Sequence, residues 1–72
     1  MKDIRQMRDL VGLSQIALAH RAQVSRMRLQ LAEAGVLQLR PEELLALRKA
    51  IGERAASLQS ELSEQGLVSV AE

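Results

Sequence analysis

Seventy-two residues make one small domain, and with no Phe, Tyr or Trp its core must be built from Leu, Ile, Val, Met and Ala. The chain has no Cys and one His, which excludes a disulfide framework and leaves no zinc ligand set, so no metal or cofactor is expected. Net charge is only +1, but residues 1–40 carry seven basic side chains against three acidic ones and residues 41–72 carry three against six, so the N-terminal half is the candidate surface for a polyanion.

A core of this size rarely supplies more than roughly 3–5 kcal/mol, and with disulfides and metals excluded, association with a second copy is the remaining staple. No apolar run approaches the roughly 20 residues of a membrane helix, and no signal-peptide apolar region opens the chain. The lack of Cys fits a reducing compartment, so a cytoplasmic location is expected.

Residues 2–11 read as the first helix. Ile4, Met7 and either Leu10 or Val11 recur at helical spacing toward a core, and Gly12 is the stop. Ser14 caps a second helix over 15–21, with Leu18 and Ala19 inward; the small Ala19 admits a close helix neighbour. Gln15, at the start of that helix, is placed either to meet a DNA phosphate together with the helix N-terminus or to add a capping group. His20 lies on an outward face with no Cys or carboxylate partner at motif spacing and reads as surface.

Ala22-Gln23-Val24 is a turn, and Ser25 caps a third helix over 25–33. Val24, Leu29 and Ala32 face inward, while Arg26, Met27, Arg28, Gln30 and Leu31 lean outward. Two short helices joined at this spacing, over residues 14–35, match a helix-turn-helix, whose second helix enters the major groove of DNA. In its first turn Arg26 is placed to donate two hydrogen bonds to guanine O6 and N7, discriminating by about 1–3 kcal/mol. Met27 and Leu31 are suited to thymine methyl groups and Arg28 to a phosphate, and Ser25 and Gln30 complete the candidate DNA-contacting set on this helix. Alternatively, Met27 and Leu31 form an apolar patch for a protein partner.

Gly35 ends the third helix. In the linker from Val36 to Arg40, Leu37 and Leu39 alternate, so one of them tucks beneath that helix. Pro41 suits the first turn of the next helix, and Glu42 and Glu43 complement its positive end. Leu44, Leu45, Leu47 and Ile51 are expected to complete the core. Beyond Gly52 the residues are strong helix formers with no new cap, which predicts one long helix, or two nearly collinear ones, ending at Gly66. Ile51, Ala55, Leu58 and Leu62 are spaced 4, 3 and 4 apart, a short heptad-like stripe that fits a dimer interface or packs back on the first helix. Residues 67–72 read as a tail or as a short strand pairing across a dimer.

Catalysis finds little footing. There is no Cys or Tyr, the single His lacks a partner, and glycines at 12, 35, 52 and 66 are scattered rather than gathered into a phosphate loop. No enzyme is expected.

The stretch Ile4-Arg5-Gln6-Met7-Arg8-Asp9-Leu10-Val11-Gly12-Leu13-Ser14-Gln15, with its Gly-Leu-Ser-Gln entry, resembles the first helix of the phage repressor and Cro (XRE-type) helix-turn-helix family. Gln15, Ala19, Val24, Ser25, Leu29, Glu33 and Gly35 fall in register without a gap, and Leu44 to Gly52 resembles the closing helix. There are three departures. Gln23 stands where the family has Gly, at a cost of roughly 1 kcal/mol for a left-handed backbone. Ala32 replaces a larger aliphatic residue, and Leu31 replaces a polar base reader.

The resemblance implies an all-α, lambda-repressor-like bundle of four to five helices with an extended C-terminal helix. On it, residues 1–52 form the DNA-binding domain and residues 53–72 a dimerising extension. It further implies an ion pair between Arg8 and Glu33, tying the first helix to the recognition helix, and a phosphate contact from Arg40. The expected function is a sequence-specific DNA-binding regulator, a repressor or autoregulator acting as a homodimer on an inverted repeat. Such small domains also include the antitoxins of toxin–antitoxin pairs. The alternative is the same fold used as a protein-interaction module, as an anti-activator or antitoxin-like adaptor.

Overall fold

The computed structural model describes residues 2–64, which form α1 (Lys2–Leu10), α2 (Gln15–Ala22), α3 (Arg26–Glu33) and α4 (Pro41–Glu64). Among them the regular structure is entirely helical.

The first three helices end in one way. After α1 the Gly12 N–H donates to the Asp9 carbonyl at 3.1 Å and the Leu13 N–H to the Arg8 carbonyl at 3.1 Å. After α2 the same pair runs from Gln23 to His20 (3.2 Å) and from Val24 to Ala19 (3.0 Å). After α3 it runs from Gly35 to Ala32 (3.0 Å) and from Val36 to Leu31 (2.9 Å). These are Schellman endings, which need a left-handed residue at the turn. Gly12 (φ 70°) and Gly35 (φ 80°) take it readily; Gln23 takes it at φ 57° against its own Cβ. The departure at Gln23 therefore leaves the turn geometry intact.

Ser14 and Ser25 open α2 and α3, their hydroxyls accepting from the N–H groups of Ala17 (3.0 Å) and Arg28 (3.4 Å). Arg40 is the residue at the mouth of α4, its carbonyl taking the first helical hydrogen bond from the Leu44 N–H at 3.0 Å.

α2 packs against α3 and α4, and α1 closes the bundle against the same two helices. Ile4, Leu18, Leu29 and Leu47 are fully buried; Leu13, Ala19, Ala32, Leu39, Ala50 and Ile51 complete the core. Met7, Val11, Ala17, Ala22, Val24 and Leu44 pack around it. The linker tucks in Leu39, with Leu37 half-buried. Of the two candidates at the end of α1, Val11 packs inward and Leu10 points out.

Two sequence expectations for α4 are corrected. Leu45 is 71% exposed, because at 100° per residue it lies on the side of the helix turned away from Leu47 and Ile51, and Ala50 takes the place on the inner face. Ile51 is buried within the single chain, so it is absent from any exposed stripe.

α4 is one continuous helix through Gly52. Its 24 residues rise about 36 Å, more than the bundle can cover, and the molecule measures 43 × 20 × 19 Å. Among the described residues, the farthest hydrogen bond from α4 back to the bundle is the Arg54 Nε–H donating to the Val11 carbonyl at 3.3 Å. From residue 55 to 64 every residue is exposed except the half-buried Leu58. The expected stop at Gly66 and the reading of residues 67–72 lie outside the described residues.

Candidate nucleic-acid interface

α3 is held by its inner side, through Leu29 and Ala32 in the core, and by a polar clamp at its C-terminal end. Arg8 of α1 grips the Glu33 carboxylate with two parallel bonds, Nε to Oε2 and Nη2 to Oε1, both 2.9 Å. Its remaining Nη1 donates to the Leu13 carbonyl at 2.9 Å and lies 3.4 Å from Asp9. Gln15 of α2 adds a third bond, Nε2 to Glu33 Oε1 at 2.9 Å. The Arg8 and Glu33 side chains are 11% and 4% exposed, so the clamp is largely buried, with one side bordering a surface cleft. Burial pushes the Glu33 carboxyl up; the hydrogen bonds from Arg8 and Gln15, together with the charges of Arg8 and Arg5, more than reverse that, and it lies below its ordinary value. Glu33 in turn raises the Arg8 guanidinium despite desolvation. α1, α2 and α3 thus share one fixed joint.

The clamp leaves the outer side of α3 open. Arg26, Met27, Gln30 and Leu31 are all exposed there, Met27 at 64%, and Arg26 has no ion pair among the described residues. Gln30 also helps line an open cleft of about 270 Å³ with Arg5, Arg8, Gln15, Glu33 and Ala34. Arg5, exposed at its edge, was not singled out from the sequence; its spacing of three from Arg8 along α1 was the available signal.

Of the other candidate residues, Ser25, Gln15 and Arg28 use side-chain groups within the fold, whereas Arg40 is exposed. The Ser25 hydroxyl caps α3. Gln15 commits its amide N–H to Glu33. Arg28, expected to reach a phosphate, instead forks onto Glu43 of α4, Nε to Oε2 at 2.7 Å and Nη2 to Oε1 at 2.8 Å. Glu43 also accepts the Arg40 backbone N–H at 2.8 Å, while the Arg40 residue is exposed. The hydrogen bond from Arg28, then that from Arg40, lowers the Glu43 carboxyl to about 2. His20 is exposed. Among the described residues no cluster of His, Cys, Asp or Glu is arranged to hold a metal ion, and no helix is long and apolar enough to cross a membrane.

A helix-turn-helix family model matches residues 4–58. The chain belongs to the XRE/Cro-type helix-turn-helix family. The match starts at the first core residue of α1 and runs past Arg54, so it takes in both serine caps, the turn at Gln23 and the whole Arg8–Glu33–Gln15 joint. No curated protein and no solved structure matches. As a member of this family it is a DNA-binding helix-turn-helix regulator.

Proposed function

We propose that this helix-turn-helix protein is a sequence-specific repressor or autoregulator that acts in the cytoplasm, binding an inverted repeat as a homodimer. The observation that carries the reading is the open outer side of α3, where Arg26, Met27, Gln30 and Leu31 stand exposed on a helix fixed from behind. In the major groove Arg26 selects guanine, and Met27 and Leu31 lie against thymine methyl groups. Arg40 and the N-terminus of α2 at Gln15 supply backbone contacts that set the register. Dimerisation is assigned to Ala55, Leu58 and Leu62 on the part of α4 that runs beyond the bundle. Two such helices would place their recognition helices about 34 Å apart, one DNA turn.

Selection of bound sites from random duplex tests binding, specificity and half-site spacing together. The expected result is a short palindrome whose occupancy drops steeply with salt and is lost in Arg26→Ala. Sedimentation of the wild type and of Leu58→Asp tests the dimer, which the charge should split. A second reading has one observation in its favour: Met27 and Leu31 make the outer side of α3 unusually apolar for a DNA reader. On that reading the helix docks a protein, and the selection returns no motif and no salt-dependent binding.

A further inference from the structure

Arg28 stands on α3, the helix assigned to DNA, at the flank of its exposed face, and the role of its fork with Glu43 does not follow from that assignment. Arg28 is in the first turns of α3, beside Arg26 and Met27. Both nitrogens on one edge of its guanidinium are taken by Glu43, at 2.7 and 2.8 Å. This is the bidentate geometry with which Arg grips either a carboxylate or a phosphate. The carboxylate is itself anchored. Glu43 is the third residue of α4 and reaches back to the N–H of Arg40 at its mouth, half of a capping box. Its side chain is 15% exposed against 34% for Arg28, so the acid is the fixed partner and the base the accessible one.

We propose that Glu43 is an internal stand-in for a DNA phosphate: it occupies the phosphate-gripping edge of Arg28 and so removes about one ionic contact per protomer from the DNA footprint. This rests on the DNA-binding reading. The consequence is lower affinity for duplex of any sequence, while Arg26 remains free to choose bases. Because a phosphate contact is common to all sequences, its loss lowers affinity and salt dependence uniformly and leaves the choice among sequences to the base-contacting side chains. Glu43 thus sets the strength and salt dependence of duplex binding without meeting a base.

The test is Glu43→Gln in the full-length chain, titrated against random-sequence duplex across a salt series. The amide keeps an oxygen to accept the Arg40 N–H but gives up the charge. Each phosphate neutralised adds about 0.9 to the slope of log affinity against log salt, equivalent to about eightfold tighter binding at 0.1 M than at a 1 M reference. The expected result is a slope steeper by about 0.9 per protomer, with random-duplex affinity raised several-fold. The gain should vanish in an Arg28→Ala background. Where Glu43→Gln does not fold, as judged by its circular dichroism, Arg28→Ala alone decides. An unchanged slope supports the stand-in, and a fall of about 0.9 shows Arg28 already on a phosphate and overturns it. A Glu43→Gln protein that binds with an unchanged or shallower slope also overturns it, leaving the DNA-binding reading in place. Wild-type protein that binds no duplex even at low salt overturns that reading and this one together.

Discussion

Two arginine–glutamate forks of near-identical geometry join α3 to its neighbours, one at each end. Arg8–Glu33 has both bonds at 2.9 Å, and Arg28–Glu43 has 2.7 and 2.8 Å. They differ in what surrounds them. The first is packed among three helices, with side-chain exposures of 11% and 4%; the second has 34% and 15% and lies at the bundle's rim. Bond length therefore says little about what each pair contributes. A charge stripped of water and left without its partner is costly, whereas one that water can reach is rescued by it. The inner fork is a joint of the fold, and the outer one is a rim pair whose strength depends on salt.

The largest consequence falls on the inner fork. Glu33→Ala would leave Arg8 and the Gln15 amide without their shared partner at the edge of the open cleft, at a cost of about 3 kcal/mol. A core this small supplies roughly that much in total. The variant should therefore melt far below the wild type by circular dichroism. Arg8→Ala should approach the same loss, and the double variant should lose much less than the sum of the two. Small, additive losses would place both side chains in water and erase the contrast.

Acid attacks both forks, with one sign. Each carboxyl lies below its ordinary value in the folded chain, Glu43 at about 2, so each stabilises the fold fully above the unfolded value near 4.5. That contribution fades as pH falls through the folded value. The melting temperature should be level from pH 7 to about 5 and then decline toward pH 2. In Glu43→Gln the lower part of that decline should flatten, since the group that titrates near 2 has been removed. A melting temperature that rises on acidification would contradict both assignments.

Less follows from the outer fork for stability. Glu43→Ala should lower the melting temperature far less than Glu33→Ala, because Arg28 can return to solvent and only the partial cap on Arg40 is lost. Equal losses at the two glutamates would mean that the rim pair is as dry as the inner one.

The same contrast marks how much could be read from the chain alone. Ser14, Ser25, Gly12, Gly35 and Pro41 announce helix ends by local chemistry, and each stands at the boundary it signals. α3's inner side follows from the spacing of Leu29 and Ala32. Leu44 to Leu47, by contrast, is apolar at four successive positions, so periodicity could not decide that Leu45 faces out. Nor could it separate Ile51, in the core, from Leu58 and Leu62 farther along the same helix. Of the two forks, Arg8 with Glu33 entered through a family resemblance. Arg28 with Glu43 left no trace, since two long side chains fifteen residues apart, on helices joined by an irregular linker, meet only once the fold is built. The outward placement of Arg26 and Gln30 was legible; that Arg28 beside them would be engaged internally was not.

The smallest expected effect separates the forks most cleanly, because it needs no change in fold. Raising salt from about 0.1 M to 1 M shortens the Debye length from about 10 Å to 3 Å, which screens charges that ions can approach and leaves dry ones nearly untouched. Double-mutant cycles on each pair, read as melting shifts at the two salt concentrations, should show the Arg28–Glu43 coupling shrinking toward zero while that of Arg8–Glu33 persists. The outcome bears on recognition as well as stability. A coupling present at about 0.1 M and screened at 1 M keeps Arg28 on Glu43 under the conditions where duplex is bound, as the stand-in requires, and one already absent at about 0.1 M would leave Arg28 free for a phosphate.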